Sequence, residues 1–173
     1  VSSTKLNCAR HPTSISILCI QPINIKSGEF FITTYKVGIG ITGLGNICRS
    51  PAAEALFRAQ APGLASDSAG TSDWHVGEPP YGAMQAAAQA RGIDMSDLRA
   101  RQFGPEDFAH FDLIVAMDGD NLARIEAQRP QGSDTPVHLL TDYAPDSGAD
   151  HVPDPYYTRD FDGTLDLIER QRL

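Results

Sequence analysis

The stretch Gly38–Pro51, GIGITGLGNICRSP, admits two readings, each with its own chemistry. Its first six residues fit Gly-x-Gly-x-x-Gly, the turn that brings a dinucleotide pyrophosphate onto a helix N-terminus. In that fold the helix begins inside the motif, and an acidic residue about 20 positions on holds the ribose. Here Ser50 and Pro51 place the helix start well past Gly43, as N-cap and first helical residue, and only Asp67 loosely serves the ribose. The second reading accounts for more residues. Leu44–Ser50, LGNICRS, makes a wide turn whose backbone N–H groups can converge on a phosphate, with a helix dipole beneath it. Arg49 supplies a planar fork for two phosphate oxygens, and Gly45 and Asn46 are residue types that tolerate a left-handed backbone.

Outward from this turn, strand-like and helix-like patches alternate. EFFITTYKVGIGIT leads into it as extended chain, weakened at Gly38 and Gly40, and PAAEALFRAQA follows as a helix. LASDSAGT, FDLIVAMD and PVHLLTDYA read as strands; PYGAMQAAAQARGI, stopped by Gly92, and DNLARIEAQRP read as helices. VPDPYY falls in a loop, and FDGTLDLIERQRL begins a last helix. Alternation of this kind predicts an α/β fold: one compact domain, a four-stranded parallel sheet with helices on both faces. Ligands then bind beyond the C-terminal strand ends, where the opening stretch lies.

The chain of 173 residues suits one domain with a full core. A net charge of −8 argues against general affinity for nucleic acid or anionic lipid, and no apolar run is long enough to span a membrane. Cys8, Cys19 and Cys48 show no zinc-type pairing and read as reduced thiols. The composition has a seam. All three lysines lie in the first 36 residues, which are rich in Ile and nearly free of Ala; beyond them every basic side chain is Arg. Residues 1–35 are therefore expected to be an atypical, poorly ordered extension, and residues 36–173 the domain.

LGNICRSP resembles the active-site loop of the low-molecular-weight protein tyrosine phosphatases. SAGTSDWHVGEPP, ARGIDMSDLRARQ, FDLIVAMDGDNL and DPYY follow in that family's order and spacing, so the resemblance covers Leu44 to about Ile168. It implies metal-independent hydrolysis of phosphomonoesters, with no cofactor, on a phosphotyrosine protein or small aryl phosphate. It further implies Arg49 as transition-state clamp and Asp154 as general acid. Asn46 and Ser50 would organise the loop that Leu44, Gly45, Ile47 and Cys48 complete, and Trp74, Tyr156 and Tyr157 would wall an aromatic pocket. Taken alone, Asp154 reads as a loop carboxylate between two prolines, and Trp74 as core.

The resemblance breaks at one position. The family pattern is Cys, five residues, then Arg, and counting back from Arg49 lands on Gly43. Thr42 is one position off and faces the other way on a strand; Cys48 matches the family's second loop cysteine. Leu98 replaces a buttressing His, and the last helix is expected to stop early at Leu173. Because strand and Cys fail together at the seam, a junction in the chain is the favoured origin. The expectation is a phosphatase-type domain inactive for want of its nucleophile. A phosphotyrosine-binding pseudophosphatase is the alternative, and arsenate-reductase chemistry, which needs reactive cysteines, is disfavoured. A cytoplasmic monomer is expected, with organelle targeting by residues 1–35 left open.

Overall fold

The computed structural model describes residues 38–171, so the N-terminal extension lies outside the described residues, while the seam, near 36–43, falls within them from Gly38 on. The described chain is the expected single α/β domain. Strands β1 (Gly38–Gly43), β2 (Ala65–Gly70), β3 (Leu113–Ala116) and β4 (Val137–Leu139) pair in the order β2-β1-β3-β4, all parallel. Helix α1 (Arg49–Gln60) connects β1 to β2 in one direction, and α4 (Gly119–Glu126) connects β3 to β4 in the other. With right-handed crossovers these helices cover opposite faces. Helices α2 (Gly82–Ala90) and α6 (Phe161–Glu169) pack on each other, and α6 also packs on α1. Two short helices, α3 (Asp107–His110) and α5 (Pro155–Thr158), complete the domain. Among the described residues no helix is long and apolar enough to cross a membrane.

The central strand β1 is buried along its whole length, and Ile39, Ile41, Ile114 and Val115 anchor the core. Gly40 is more than a weak point in that strand. A Cβ there would lie 2.8 Å from the Phe111 ring, so the missing side chain is the space the ring occupies.

Several elements differ from expectation, each for a local reason. Helix α1 starts at Arg49 with Cys48 at the cap position, so Ser50 lies inside the first turn and is not the N-cap. Its hydroxyl is engaged in the preceding loop, accepting from Asn46 Nδ2 at 3.1 Å. The stretch PVHLLTDYA is strand only through Leu139, because the Asp142 carboxylate accepts the Leu139 N–H at 3.1 Å and draws the chain into a 3-10 turn over Leu140–Tyr143. After Asp154, the expected loop winds into α5. Asp154 is its N-cap, accepting from the Tyr156 N–H at 3.0 Å, and Pro155 opens the turn.

Candidate active site

The site forms where β1 ends at the C-terminal edge of the sheet and the chain turns into α1. Several of the loop's carbonyls are taken up by the surrounding protein. Gly43 O accepts from Thr71 N at 2.8 Å, Leu44 O from Ser72 N at 2.9 Å, and Ile47 O from Tyr81 N at 2.7 Å. The N–H groups of residues 44–49 find no acceptor among the described residues. A loop that spends carbonyls in this way and keeps its amides can receive an anion.

Asn46 holds this shape. Its backbone is left-handed (φ 57°), as its residue type allows, and its buried amide makes three hydrogen bonds. Nδ2 donates to Ser50 Oγ and to Ser68 Oγ (2.8 Å), while Oδ1 accepts from Arg101 N at 2.9 Å. Ser68 in turn donates to the buried carboxylate of Glu54 at 2.6 Å. Buried Leu98 brings no polar group, and the buttress is this chain of Ser68, Glu54 and the Arg101 backbone. Gly45 does not use the left-handed freedom its type allows; a Cβ there would meet His75 Cδ2 at 2.9 Å, so glycine lets the imidazole close over the loop.

A cavity of about 200 Å³ sits on the loop. It is lined by Gly43, Leu44, Gly45, Asn46, Ile47, Cys48, Arg49, Ser50, Trp74, His75, Asp154, Tyr156 and Tyr157. Every site residue named from sequence therefore faces one space, and His75 joins them, its Nδ1 2.8 Å from Glu78 Oε2. Trp74 is 71% exposed and Tyr157 76%, so neither is core; with Tyr156 they stand at the cavity's rim.

Arg49 is 6% exposed beneath this rim. Nη1 donates to Asp118 Oδ2 at 2.6 Å and to Val152 O at 2.9 Å, and Nη2 to Asp154 Oδ2 at 3.2 Å. Asp118, within FDLIVAMDGDNL, has no site role legible from sequence. Its place before α4 is legible as an N-cap, and it does accept from Asn121 N at 2.8 Å. Its grip on an arginine 69 residues away has no sequence signal.

Gly43 stands at the cavity floor with an ordinary, not left-handed, φ. A Cβ built on it would lie 2.9 Å from Ser50 Oγ. Thr42 is fully buried one residue earlier, its hydroxyl without a hydrogen-bond partner among the described residues. The Cys48 thiol is pushed up to about 12, chiefly by burial and further by the charge of Asp154, against the lowering effect of Arg49 and Arg159. At neutral pH it is a neutral thiol.

The sequence profile of the family described as low molecular weight phosphotyrosine protein phosphatase matches residues 38–172. A protein of Bacillus subtilis named low molecular weight protein-tyrosine-phosphatase YfkJ is 41% identical over 132 residues, covering 73% of this chain and 85% of its own. A low molecular weight phosphotyrosine protein phosphatase of Schizosaccharomyces pombe is 44% identical over 131 residues, covering 72% and 83%. The crystal structure of YfkJ superposes with a TM-score of 0.73 at 37% identity, covering 78% of this chain and 89% of that one.

Proposed function

Since this chain belongs to the low molecular weight phosphotyrosine protein phosphatase family, we propose that its cavity takes up the phosphoryl group of phosphotyrosine or a small aryl phosphate, and that the chain as written does not hydrolyse it. The amides of residues 44–49 and the start of α1 supply the anion seat. Three of Arg49's five N–H donors are engaged by Asp118, Val152 and Asp154, which leaves two for equatorial phosphate oxygens. Those contacts also hold the guanidinium in place before a ligand arrives, so little of its ordering cost falls on binding. Trp74, Tyr156 and Tyr157 rim the space proposed for an aryl ring, and Asp154 lines the same cavity, which supports its assignment as the acid for the leaving oxygen.

The observation that carries inactivity is the floor of that cavity. In-line attack on phosphorus needs a nucleophile below the anion. The residue there, Gly43, has no side chain, and the direction its Cβ would take ends on Ser50 Oγ. That oxygen already accepts from Asn46, and Cys48 is protonated. The same protonated thiol disfavours the arsenate-reductase reading.

Two measurements on the full chain test the proposal. Calorimetric titration with phosphate, vanadate and phosphotyrosine is expected to saturate, and p-nitrophenyl phosphate turnover is expected to stay at background. Gly43→Cys should create turnover, since the backbone there accepts a side chain and only the Ser50 hydroxyl must turn aside. Turnover by the unaltered chain that Arg49→Ala abolishes would show another nucleophile at work. No saturation up to about millimolar ligand, an affinity of only about −4 kcal/mol, would overturn the binding half.

A further inference from the structure

Arg49, Arg58, Arg91, Arg101 and Arg129 all pair with carboxylates. Arg159, like Arg99, Arg124 and Arg170, pairs with no carboxylate among the described residues, and it alone of these four is held against the aromatic side chains next to the cavity. It closes α5 in a left-handed conformation (φ 61°), its own N–H donating to Pro155 O at 2.9 Å. Its side chain is exposed yet ordered by aromatics. Nη1 donates to the Tyr81 hydroxyl at 3.1 Å, and the guanidinium carbon lies 5.6 Å from the Tyr81 ring centre and 5.5 Å from that of Phe161. Tyr81 stacks on Phe161 and meets Tyr156, a cavity wall, edge-on at 5.8 Å. Asp160, the nearest carboxylate in sequence, is turned away to cap α6 through Gly163 N at 2.8 Å.

These contacts use one N–H and the ring-facing surface of a planar cation, and they leave most of its donors toward solvent beside the cavity. Its charge is also felt inside, where it acts to lower the Cys48 thiol against the burial that raises it. We propose that Arg159 is a specificity-determining residue that binds a carboxylate carried by the polypeptide next to the phosphotyrosine. This rests on the phosphotyrosine reading of the cavity. An acidic peptide approaching an acidic protein is repelled over most of the surface, so a pre-ordered, carboxylate-free arginine at the rim decides where such a peptide docks.

The test is calorimetry on the full chain with three probes: free phosphotyrosine blocked as its N-acetyl amide, so that it carries no carboxylate of its own, a phosphotyrosine peptide flanked by Asp and Glu, and the same peptide flanked by Asn and Gln. The acidic peptide should bind about two- to fivefold tighter than the neutral one, as an exposed ion pair allows. That gap should shrink between about 50 and about 500 mM salt. Arg159→Gln should erase the gap and leave free phosphotyrosine unchanged, while Arg159→Lys keeps part of it. An unchanged gap in Arg159→Gln overturns the inference. So does an equal loss for free phosphotyrosine, which would make Arg159 only a support for Tyr81 and α5. Should Arg159→Gln fail to fold, the salt dependence of the unaltered chain and the Arg159→Lys variant decide. If free phosphotyrosine itself does not bind, the cavity reading falls and this inference with it; if it binds and the flanks are not distinguished, only the inference falls.

Discussion

Cys48 caps α1, where a helix dipole and an adjacent arginine ordinarily draw a thiol toward its thiolate. Burial outweighs both and takes the thiol from an ordinary 9.0 to about 12. Since three units are a thousandfold in thiolate fraction, iodoacetamide at mildly alkaline pH should alkylate Cys48 about a thousandfold more slowly than a free cysteine. Peptide mapping by mass spectrometry reads Cys48 separately from Cys8 and Cys19, and labelling at the rate of a free thiol would contradict this account. Glu54 shows the same contest in a carboxyl. Burial first, then Asp67, raises it above the usual 4.5, against lowering by Ser68 and Arg58. The folded state therefore keeps this proton at pH values where the unfolded chain has lost it. Its contribution to stability is complete below about 4.5 and is lost as pH rises through the folded value. Glu54→Gln keeps an acceptor for Ser68 and never ionises. Its melting temperature relative to the parent should rise between about pH 4 and about pH 8, and a constant difference would show that Glu54 is not the titrating group.

At the scale of elements, the loop between β1 and α1 owes its shape to β2 as much as to its own residues. The last residue of β2, Gly70, is in register with Gly43, and a Cβ there would lie 2.8 Å from Leu44 O and 3.2 Å from Gly45 C. Both are backbone atoms with nowhere to retreat, unlike the hydroxyl facing Gly43. Gly70→Ala should cost about 1–3 kcal/mol, read as a lowered urea midpoint, and should weaken phosphate binding because Leu44 and Gly45 must shift. Gly63→Ala, with nothing within 4 Å of the added carbon, is the matched control and should be neutral in both measurements. An anion affinity that survives Gly70→Ala would mean the loop holds its shape without β2.

At the scale of the whole molecule, one arginine carries several of the polar ties between helices. Arg91, at the end of α2, donates to Asp162 Oδ1, Asp166 Oδ1 and Glu169 Oε2 on α6, at 3.1, 2.7 and 3.2 Å. It also reaches the carbonyl of Asp162 at 3.0 Å. Exposed pairs are individually weak, but one side chain serving three carboxylates is a network. Arg91→Ala should lower stability by about 1 kcal/mol by denaturant titration, with the cavity's phosphate affinity unchanged, since Arg91 does not line it. A drop in affinity of the same size would show that α6 packing is coupled to the site.

Local patterning was enough for much of this molecule. Apolar runs and β-branched residues mark β2 and β3, Gly92 stops α2 with φ 77°, and strand–helix alternation alone leads to the parallel sheet. The family resemblance carried by LGNICRSP and the later motifs implies twelve site residues, and the fold gathers all of them around one cavity. Short-range signals stopped where long-range partners decide the outcome. The start of α1 moved to Arg49 because Ser50 Oγ is claimed by Asn46, and β4 ended at Leu139 because Asp142 turns the chain. Asp118, His75, Ser68 and Glu54 are ordinary polar residues in sequence; only the fold brings Asp118, after β3, onto Arg49, and Ser68, in β2, onto Asn46 with Glu54 of α1 behind it, and lays His75 over Gly45. The chemistry proposed for the chain thus rests on residue identities, above all the glycine at 43. Which donors and acceptors are spent, and which remain for a ligand, followed from contacts between residues tens of positions apart, and those exist only in the folded molecule.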